Sequence, residues 1–268
     1  MAGHALRPTT GMTTGMTTDM TGAVRGARKA FPTGLAQPEG GYRFSLDPLL
    51  LAAFAPLKKN DRVVDLGAGC GVAGLAALLG GAAREIPAKV LSLDIDPAMS
   101  GFALANAVRL GLADSLRAQT LDIRHVRDEL PAEAFTMALV NPPYRRQGTG
   151  IPCPDGGRER ARGETRAVLW DFISAASWLL ANRGRLAVVF AANRLSELLV
   201  ACEKARLTPK RLRLVHSRLH EPARLLLLLA VKNGGSGMRV EAPLALYEGY
   251  GEATRLSVSS LAFCPFLA

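Results

Sequence analysis

Hydrophobic positions along the chain occur in two patterns: short continuous runs, and segments in which apolar residues recur every three or four positions. The continuous runs are typical of strands buried on both faces, and the wider spacing is typical of helices that pack on a sheet. The runs predict strands at 63–66, 90–94, 116–121, 135–140, 186–190, 212–215 and 225–231. The spaced segments predict helices at 72–79, 97–110, 169–180 and 195–205.

The order of these elements predicts an α/β fold. Strands that alternate with helices form a doubly wound, mostly parallel sheet, and such sheets bind ligands at the carboxyl ends of their strands. The last two of the seven predicted strands follow each other without a helix between them. We therefore expect a seven-stranded sheet that finishes in an antiparallel pair.

The first thirty residues differ in composition from the rest of the chain. They are small, polar and repetitive, with no periodic apolar face. We expect a disordered leader over residues 1–30 and one domain over residues 31–268. The leader lacks the apolar centre of a secretory signal, and the longest apolar run, residues 225–231, is far too short to span a bilayer. A cytoplasmic protein is expected.

Positive charge is concentrated in two windows of a chain whose net charge is +10. Residues 145–166 hold six arginines against three acidic residues, and residues 203–224 hold seven lysines or arginines against two glutamates. Such local concentration is expected where a protein contacts a phosphate backbone. A solvated, arginine-rich surface would have the same composition.

The cysteines and histidines predict no metal centre. The four cysteines are scattered without a CxxC pair, so buried free thiols are expected instead of disulfides or a zinc knuckle. His216 and His220 have a spacing that could share a metal ion on a helix, but they stand in a segment predicted to be extended.

A glycine-rich turn links the first predicted strand to the first predicted helix. Gly67, Gly69 and Gly71 alternate along it, and Asp65 precedes them. Glycines let the backbone approach a ligand closely, and the helix start behind them offers unpaired N–H groups. The alternation differs from the dinucleotide pattern GxGxxG, and a Walker lysine is missing, which disfavours a triphosphate ligand. A nicotinamide dinucleotide fold remains the alternative on this turn alone.

Two carboxylates follow the second and third predicted strands at the same edge of the sheet. Asp94 ends the second strand, twenty-seven residues after Gly67, where a carboxylate can accept hydrogen bonds from both hydroxyls of a ribose. Asp122 follows the third strand and could accept from an adenine amino group, although a helix cap would use the same position. Together with the glycine turn, they predict an adenosine ligand.

The four residues Asn141, Pro142, Pro143 and Tyr144 follow the fourth predicted strand directly. A conjugated amino or amide nitrogen is a poor nucleophile because its lone pair is delocalised. The Asn141 side-chain oxygen and the Pro142 carbonyl can hold its two N–H groups so that it pyramidalises towards a methyl donor. The prolines stiffen the turn, and Tyr144 offers a planar face for a flipped base.

This motif predicts methyl transfer to a planar nitrogen, with a tight strand-ending turn as the purely structural interpretation. The scheme needs no general base, because the amine proton becomes acidic only after the methyl group has arrived. Asp122 or water is expected to accept that proton.

With these residues in view, the chain resembles the bacterial methyltransferases that place an N6-methyl group on the adenosine just 3′ of the anticodon in a valine tRNA. Residues 65–71 and 141–144 are similar to that family's cofactor and catalytic motifs, and the resemblance extends from about residue 37 to residue 250. It implies that the methyl donor is S-adenosylmethionine. Gln37 and residues 41–47 are similar to the segment that covers this cofactor, which adds Gln37, Arg43 and Phe44 to the expected contacts.

The resemblance also implies a tRNA partner. Residues 148–164 and 215–223 are similar to further family segments, with Gly163 where the family commonly has a histidine. We expect the RNA to contact both basic windows, with the target base in the Tyr144 pocket. The expected RNA contacts are Arg145, Arg146, Arg158, Arg160, Arg162, Lys210 and Arg211.

Four other functions use a similar motif or fold. The enzymes that methylate a glutamine amide of release factors share the Asn-Pro-Pro-Tyr chemistry, but they normally carry a helical amino-terminal domain. A DNA adenine methyltransferase would need a target-recognition domain, and a large guanine-N2 rRNA enzyme usually has a duplicated domain. A cofactor-binding RNA-associated protein without turnover is disfavoured by the intact Asn141 motif.

Overall fold

The computed structural model describes residues 14–38, 45–143 and 167–268, with side chains from residue 22 onward. The helices are α1 (Thr14–Ala30), α2 (Asp47–Phe54), α3 (Val72–Ala82), α4 (Pro97–Arg109), α5 (Val126–Glu129), α6 (Leu169–Leu179), α7 (Leu195–Lys204) and α8 (Val258–Phe263). The strands are β1 (Asp61–Leu66), β2 (Ala88–Asp94), β3 (Leu116–Thr120), β4 (Phe135–Val140), β5 (Leu180–Ala191), β6 (Leu207–His216), β7 (Ala223–Lys232), β8 (Arg239–Val240), β9 (Leu244–Ala245), β10 (Tyr247–Glu248) and β11 (Arg255–Leu256).

The main sheet confirms the predicted α/β architecture. Its strand order is β3-β2-β1-β4-β5-β7-β6-β8, and β9 also pairs with β6. Strands β1 to β5 are parallel, whereas β7 runs antiparallel to both β5 and β6. The sheet has nine strands where the sequence predicts seven, because β8 and β9 are only two residues long and carry no hydrophobic run. The hairpin β10–β11 forms a separate two-stranded sheet.

The core lies on both faces of this sheet, as continuous apolar strands require. Alternate residues of β1, β4, β5 and β7 point to opposite faces. Val63, Leu139 and Val189 pack on the face that α2 and α3 cover, whereas Val64, Val140 and Val188 pack on the face that α6 and α7 cover. Because both faces of the sheet are apolar, polar groups are placed at the ends of the strands. In the part of the chain that the structure describes, no helix is both long and apolar enough to cross a membrane.

Strand β5 begins six residues before the predicted start at 186. The pairing with β4 shifts between Phe135, which lies opposite Leu180, and Met137, which lies opposite Arg185. The extra residues form a bulge in which Arg183 has a φ of 66°. The chain therefore turns at Gly184, inside the strand. A Cβ on this glycine would lie 2.7 Å from the Ala181 carbonyl oxygen.

The structure differs from the expected leader over residues 14–30, which form α1. Arg28 donates from Nε to the Leu110 carbonyl at 2.7 Å and from Nη2 to the Gly111 carbonyl at 3.0 Å. These carbonyls at the end of α4 have no intrahelical partner, and a basic side chain satisfies them well. The contact joins residues more than eighty positions apart, so local composition does not reveal it. Residues 1–13 of the expected leader lie outside the described residues.

A buried ion pair joins the amino-terminal ends of β1 and the regular part of β5. Arg185 Nη2 lies 2.6 Å from both carboxylate oxygens of Asp61, and both side chains are less than one tenth exposed. Thr136 Oγ1 and the Lys58 amide also donate to Asp61, at 2.7 and 2.6 Å. Because the pair is buried and fully bonded, it fixes this edge of the sheet, opposite the edge that carries the predicted site.

Candidate active site

The glycine turn has the conformation that its sequence requires. Gly67, Gly69 and Gly71 have φ values of 67°, 55° and 85°, in the left-handed region that glycine adopts without strain. A Cβ on Gly67 would lie 2.9 Å from the Phe172 ring, and one on Gly71 would lie 3.1 Å from Ala103 Cβ. No atom of the described residues lies within 4 Å of the position that a Cβ on Gly69 would take. Two glycines therefore let the turn pack tightly, and the third leaves room for a ligand against the backbone.

Asp94 lies at the carboxyl end of β2 and faces this turn, as predicted. Its Oδ2 accepts a hydrogen bond from the Gly69 amide at 2.8 Å, and its Oδ1 accepts from the Asp96 amide at 3.0 Å. Burial raises the pKa of Asp94, and hydrogen bonds from the amides of Asp96, Gly69 and Ile95 oppose that shift. A carboxylate has about four acceptor positions. Acceptor capacity therefore remains for a ribose hydroxyl.

Asp122 adopts the alternative that the sequence left open, since it caps a short 3₁₀ helix. Its Oδ1 accepts from the Arg124 amide at 3.0 Å, and the Arg124 guanidinium forms an ion pair with it at 2.5 Å. The hydrogen bond from the Arg124 side chain holds the pKa of Asp122 below its ordinary value. A contact with the cofactor base stays a prediction. The cofactor base would have to bind the same carboxylate that Arg124 already occupies.

Asn106 is a site residue that the sequence reasoning missed. It lies on α4, is fully buried, and joins the segment at Ala36 to the glycine turn. Its Oδ1 accepts from the Ala36 amide at 2.7 Å, while its Nδ2 donates to the carbonyls of Ala36 at 2.9 Å and Cys70 at 3.1 Å. The signal was present in the sequence: Asn106 stands four residues from both Phe102 and Leu110, on the predicted apolar stripe.

Gln37, the predicted contact next to Ala36, is half-buried. Its Oε1 is buried and has no hydrogen-bond partner among the described residues. A buried acceptor without a donor costs free energy unless a ligand or water supplies one. Gln37 therefore suits a role in ligand binding. Arg43 and Phe44, the other two predicted contacts of this segment, lie outside the described residues.

Asp65 lies under the turn instead of facing solvent. It is 2% exposed and accepts a hydrogen bond from the Gly74 amide at 3.0 Å. Burial raises its pKa to about 7. Its register partner on β2 is Ser92, whose hydroxyl is buried without a hydrogen-bond partner in the described part of the chain. Asp65 thus anchors the start of α3, and the turn above it, from below.

Asn141 stands where the prediction needs it, directly after β4. Val140 pairs with Leu66 of β1 on one side and with Val188 of β5 on the other. Because Leu66 precedes Gly67, Asn141 lies beside the glycine turn at the carboxyl edge of the sheet. Pro142 is buried and Pro143 is exposed. Tyr144, the last residue of the motif, lies outside the described residues.

The two described residues of the predicted RNA surface are engaged within the protein. Arg211 Nε donates to Glu241 at 2.6 Å, and its guanidinium lies 4.6 Å from the centre of the Phe54 ring. Lys210 Nζ donates to the carbonyls of Ser236 at 3.0 Å and Gly237 at 3.3 Å. Their contact with RNA stays a prediction. The remaining predicted contacts, Arg145, Arg146, Arg158, Arg160 and Arg162, lie outside the described residues, as does Gly163.

The two histidines with metal-like spacing bond to separate partners. His216 Nδ1 lies 2.7 Å from the Glu221 carbonyl oxygen, and His220 Nε2 lies 2.9 Å from the Tyr250 hydroxyl. Across residues 14–38, 45–143 and 167–268, no group of three or more potential ligands is placed to hold a metal ion. Cys70, Cys202 and Cys264 are free and buried, and burial raises the pKa of each thiol. Cys153 lies outside the described residues.

These groups fit an adenosine cofactor. Asp94 has acceptor capacity for a ribose, Gly69 leaves space against the backbone, and Gln37 presents an unused buried acceptor. The acceptor Asn141 stands beside them at the same edge. A parallel sheet with this turn, this acidic residue and an Asn-Pro-Pro acceptor defines an S-adenosylmethionine-dependent methyltransferase.

Comparison with known proteins identifies the family. The family model of the methyltransferase small domain matches residues 47–203. A relative from Porphyromonas gingivalis, named tRNA1(Val) (adenine(37)-N6)-methyltransferase, is 31% identical over 191 residues, which cover 69% of this chain and 72% of the relative. Relatives of the same name from Dickeya chrysanthemi and Photobacterium profundum are 28% and 26% identical, over 59% and 75% of this chain and 60% and 83% of their own lengths. The chain belongs to the methyltransferase small domain family, and within it to the group of bacterial tRNA1(Val) (adenine(37)-N6)-methyltransferases.

Solved structures support the fold alone. A protein from Agrobacterium tumefaciens described as a predicted O-methyltransferase aligns with a TM-score of 0.65 and 24% identity, over 83% of this chain and 97% of that one. A [4+2]-cyclase aligns with a TM-score of 0.53 and 15% identity, over 82% of this chain and 95% of its own. Since one fold neighbour catalyses a different reaction, the fold does not decide the chemistry. The assignment as a methyltransferase therefore depends on the family and on the site.

Proposed function

We propose that this protein transfers a methyl group from S-adenosylmethionine to the N6 amino group of adenine 37 in a valine tRNA, as the names of its relatives state for them. The observation that carries the proposal is the position of Asn141 and Pro142 directly after β4 and beside the glycine turn. Such a substrate would place the enzyme in the cytoplasm, where tRNA is found.

The cofactor supplies an electrophilic methyl group on a sulfonium. The residues of this chain have to hold the acceptor nitrogen in line with it. The Asn141 side-chain oxygen and the Pro142 carbonyl each accept one N–H of the amino group, which localises the nitrogen lone pair. The new N–C bond forms as the methyl–sulfur bond breaks, and the nitrogen then carries a positive charge and an acidic proton.

That proton needs an acceptor only after transfer. Arg124 already engages Asp122 and holds its pKa below the ordinary value, so Asp122 is a weak base in this position. Water at the open edge of the site is the better acceptor. No titrating group should therefore limit the rate between pH 6 and 9 on account of this step.

A glutamine amide of a release factor remains the second candidate, because its planar nitrogen would meet the same two acceptors. One experiment separates the two substrates. Labelled methyl transfer is measured to unmodified bacterial tRNA, rRNA and purified release factor in parallel, followed by nucleoside analysis of any labelled RNA. Label recovered from tRNA as N6-methyladenosine supports the proposal, whereas label in release factor alone refutes the RNA substrate and leaves the Asn141 chemistry intact.

A further inference from the structure

The loop between β6 and β7, residues 217–222, emerges at the same sheet edge as the active site. Strand β6 is antiparallel to β7, and β7 is antiparallel to β5. Strand β6 therefore runs parallel to β5, and its end at His216 lies at the carboxyl edge, with Asn141. Two strands separate β4 from β6 in the sheet, so β6 lies roughly 14 Å to the side of β4, at about 4.8 Å per strand. The register places Leu212 level with Val140, so the loop begins beyond Asn141 as well as to its side.

The hairpin β10–β11 packs directly onto this loop. The amides of Leu246 and Tyr247 donate to the carbonyls of His216 and Ser217, both at 2.9 Å. The hairpin thereby extends the edge beyond β6 and brings its tip, at Tyr250, against the loop. Two segments distant in sequence thus form one continuous surface.

Three side chains form a cluster on this surface: Arg218, His220 and Tyr250. The Tyr250 hydroxyl lies 2.9 Å from His220 Nε2, and the two rings are tilted by 33° with centroids 5.7 Å apart. The Arg218 guanidinium carbon lies 5.1 Å from the centre of the Tyr250 ring. The Tyr250 ring is therefore held between the Arg218 guanidinium, which lies against it, and the His220 ring, which bonds to its hydroxyl.

Arg218 itself is anchored from three sides. Its Nε donates to the Gly249 carbonyl at 2.9 Å, Nη2 donates to Thr254 Oγ1 at 3.0 Å, and Nη1 lies 3.1 Å from Glu221 Oε1. These bonds fix the guanidinium plane before any ligand arrives, which lowers the entropic cost of binding.

The contacts support the Tyr250 ring without covering it. Tyr250 is 67% exposed, its neighbour in the cluster His220 is exposed, and the adjacent Leu219 is 65% exposed. Apolar and aromatic groups gathered on exposed loops at the active edge of a sheet are typical of binding surfaces. Arg224, at the start of β7, adds an exposed cation beside them.

We propose that Arg218, His220 and Tyr250 form a stacking platform for an unpaired base of the RNA substrate, at a distance from the target base. The inference extends the proposed function and rests on it. Proteins bind unpaired RNA by stacking bases on aromatic rings and guanidinium planes, beside cations that attract phosphates. This cluster supplies each of these groups, and an anticodon loop presents several unpaired bases besides the one that is methylated.

The test compares Tyr250→Ala with Tyr250→Phe and with Arg239→Ala in the full-length protein. Tyr250→Phe keeps the ring and removes the hydroxyl, whereas Arg239→Ala removes a cation whose side chain is 71% exposed, from a strand paired with an earlier part of β6. We expect Tyr250→Ala to raise the Kd and the KM for tRNA about tenfold, the range measured for a lost base stack. The kcat, the affinity for S-adenosylmethionine and the Tm should stay unchanged, and the two other variants should bind tRNA as the wild type does.

Three results would overturn the platform. Tyr250→Ala could bind tRNA like the wild type, Arg239→Ala could lose as much affinity as Tyr250→Ala, or the loss could appear only with a protein substrate such as release factor. The failure of the proposed function has a different signature. In that case the wild type itself would methylate no tRNA.

Discussion

The three hydrogen bonds of Asn106 give the sharpest prediction for the cofactor site. Replacing Asn106 with Leu keeps the side-chain size and removes all three bonds, which span 2.7 to 3.1 Å. The segment at Ala36 then loses its connection to the glycine turn at Cys70. We expect this segment, which carries Gln37, to separate from the turn.

The expected loss of free energy follows from the buried donors and acceptors that Asn106→Leu leaves without a partner. A buried donor or acceptor that loses its partner costs about 1–3 kcal/mol. Cys70 is buried, so its carbonyl cannot replace the lost hydrogen bond. Ala36 is half-buried and can recover its hydrogen bonds with water. The total should therefore be about 2–4 kcal/mol. Since 1.4 kcal/mol is a factor of ten, the affinity for S-adenosylmethionine should fall at least about tenfold.

Two measurements check this prediction. Titration calorimetry gives the affinity for S-adenosylmethionine, and hydrogen exchange reports the Ala36 amide, whose acceptor is Asn106 itself. Asn182→Ala is the matched control, because the Asn182 side-chain oxygen accepts a hydrogen bond from Asn233 Nδ2 at 3.0 Å on the surface. An Asn106→Leu protein that is folded, binds the cofactor like the wild type and protects Ala36 equally well would refute the positioning role.

Three further perturbations test other parts of the account. Asp65 has a folded pKa of about 7 against 3.8, so its contribution to stability is present below pH 4 and is lost as the pH rises to 7. Asp65→Asn should abolish this loss and gain on the order of 4 kcal/mol at pH 8 but little at pH 4, and equal denaturation midpoints for both proteins at pH 8 would contradict it. Asp61→Ala should destabilise the fold by about 3–5 kcal/mol in urea, because it leaves the buried Arg185 unpaired, whereas a change below 1 kcal/mol would mean that the pair is solvated. Reversing the charge of Arg158 and Arg160 should weaken tRNA binding and lower its salt dependence, and an unchanged salt slope would remove them from the interface.

The parts of the fold that depend on neighbouring residues were predictable. The turn at Gly67, Gly69 and Gly71 is local, since its glycines and the strand before it stand in one short stretch. The same holds for the helix that Asp96 caps, with its side chain accepting from the Ala98 amide at 2.9 Å. Their positions in the sheet followed from the alternation of strands and helices.

The parts that depend on distant partners were not predictable. Counting charges could not show that Arg211 pairs with Glu241, which lies thirty residues further along the chain. Composition suggested a disordered leader, but Arg28 bonds to carbonyls of α4 more than eighty residues away. Asn106 carried a signal, a polar residue on an apolar stripe. Its two partners on different segments became visible only in the fold.

In the proposed function, Asn141 presents the N6 amino group of adenine 37 to the methyl donor. The most direct measurement is single-turnover methylation of an unmodified valine tRNA transcript by the wild type and by Asn141→Ala, with the modified position mapped by mass spectrometry of nuclease fragments. We expect N6-methyladenosine at position 37 with the wild type, and no product with Asn141→Ala although this variant still binds S-adenosylmethionine. Methylation at another nucleotide, or product formation by Asn141→Ala at the wild-type rate, would contradict it.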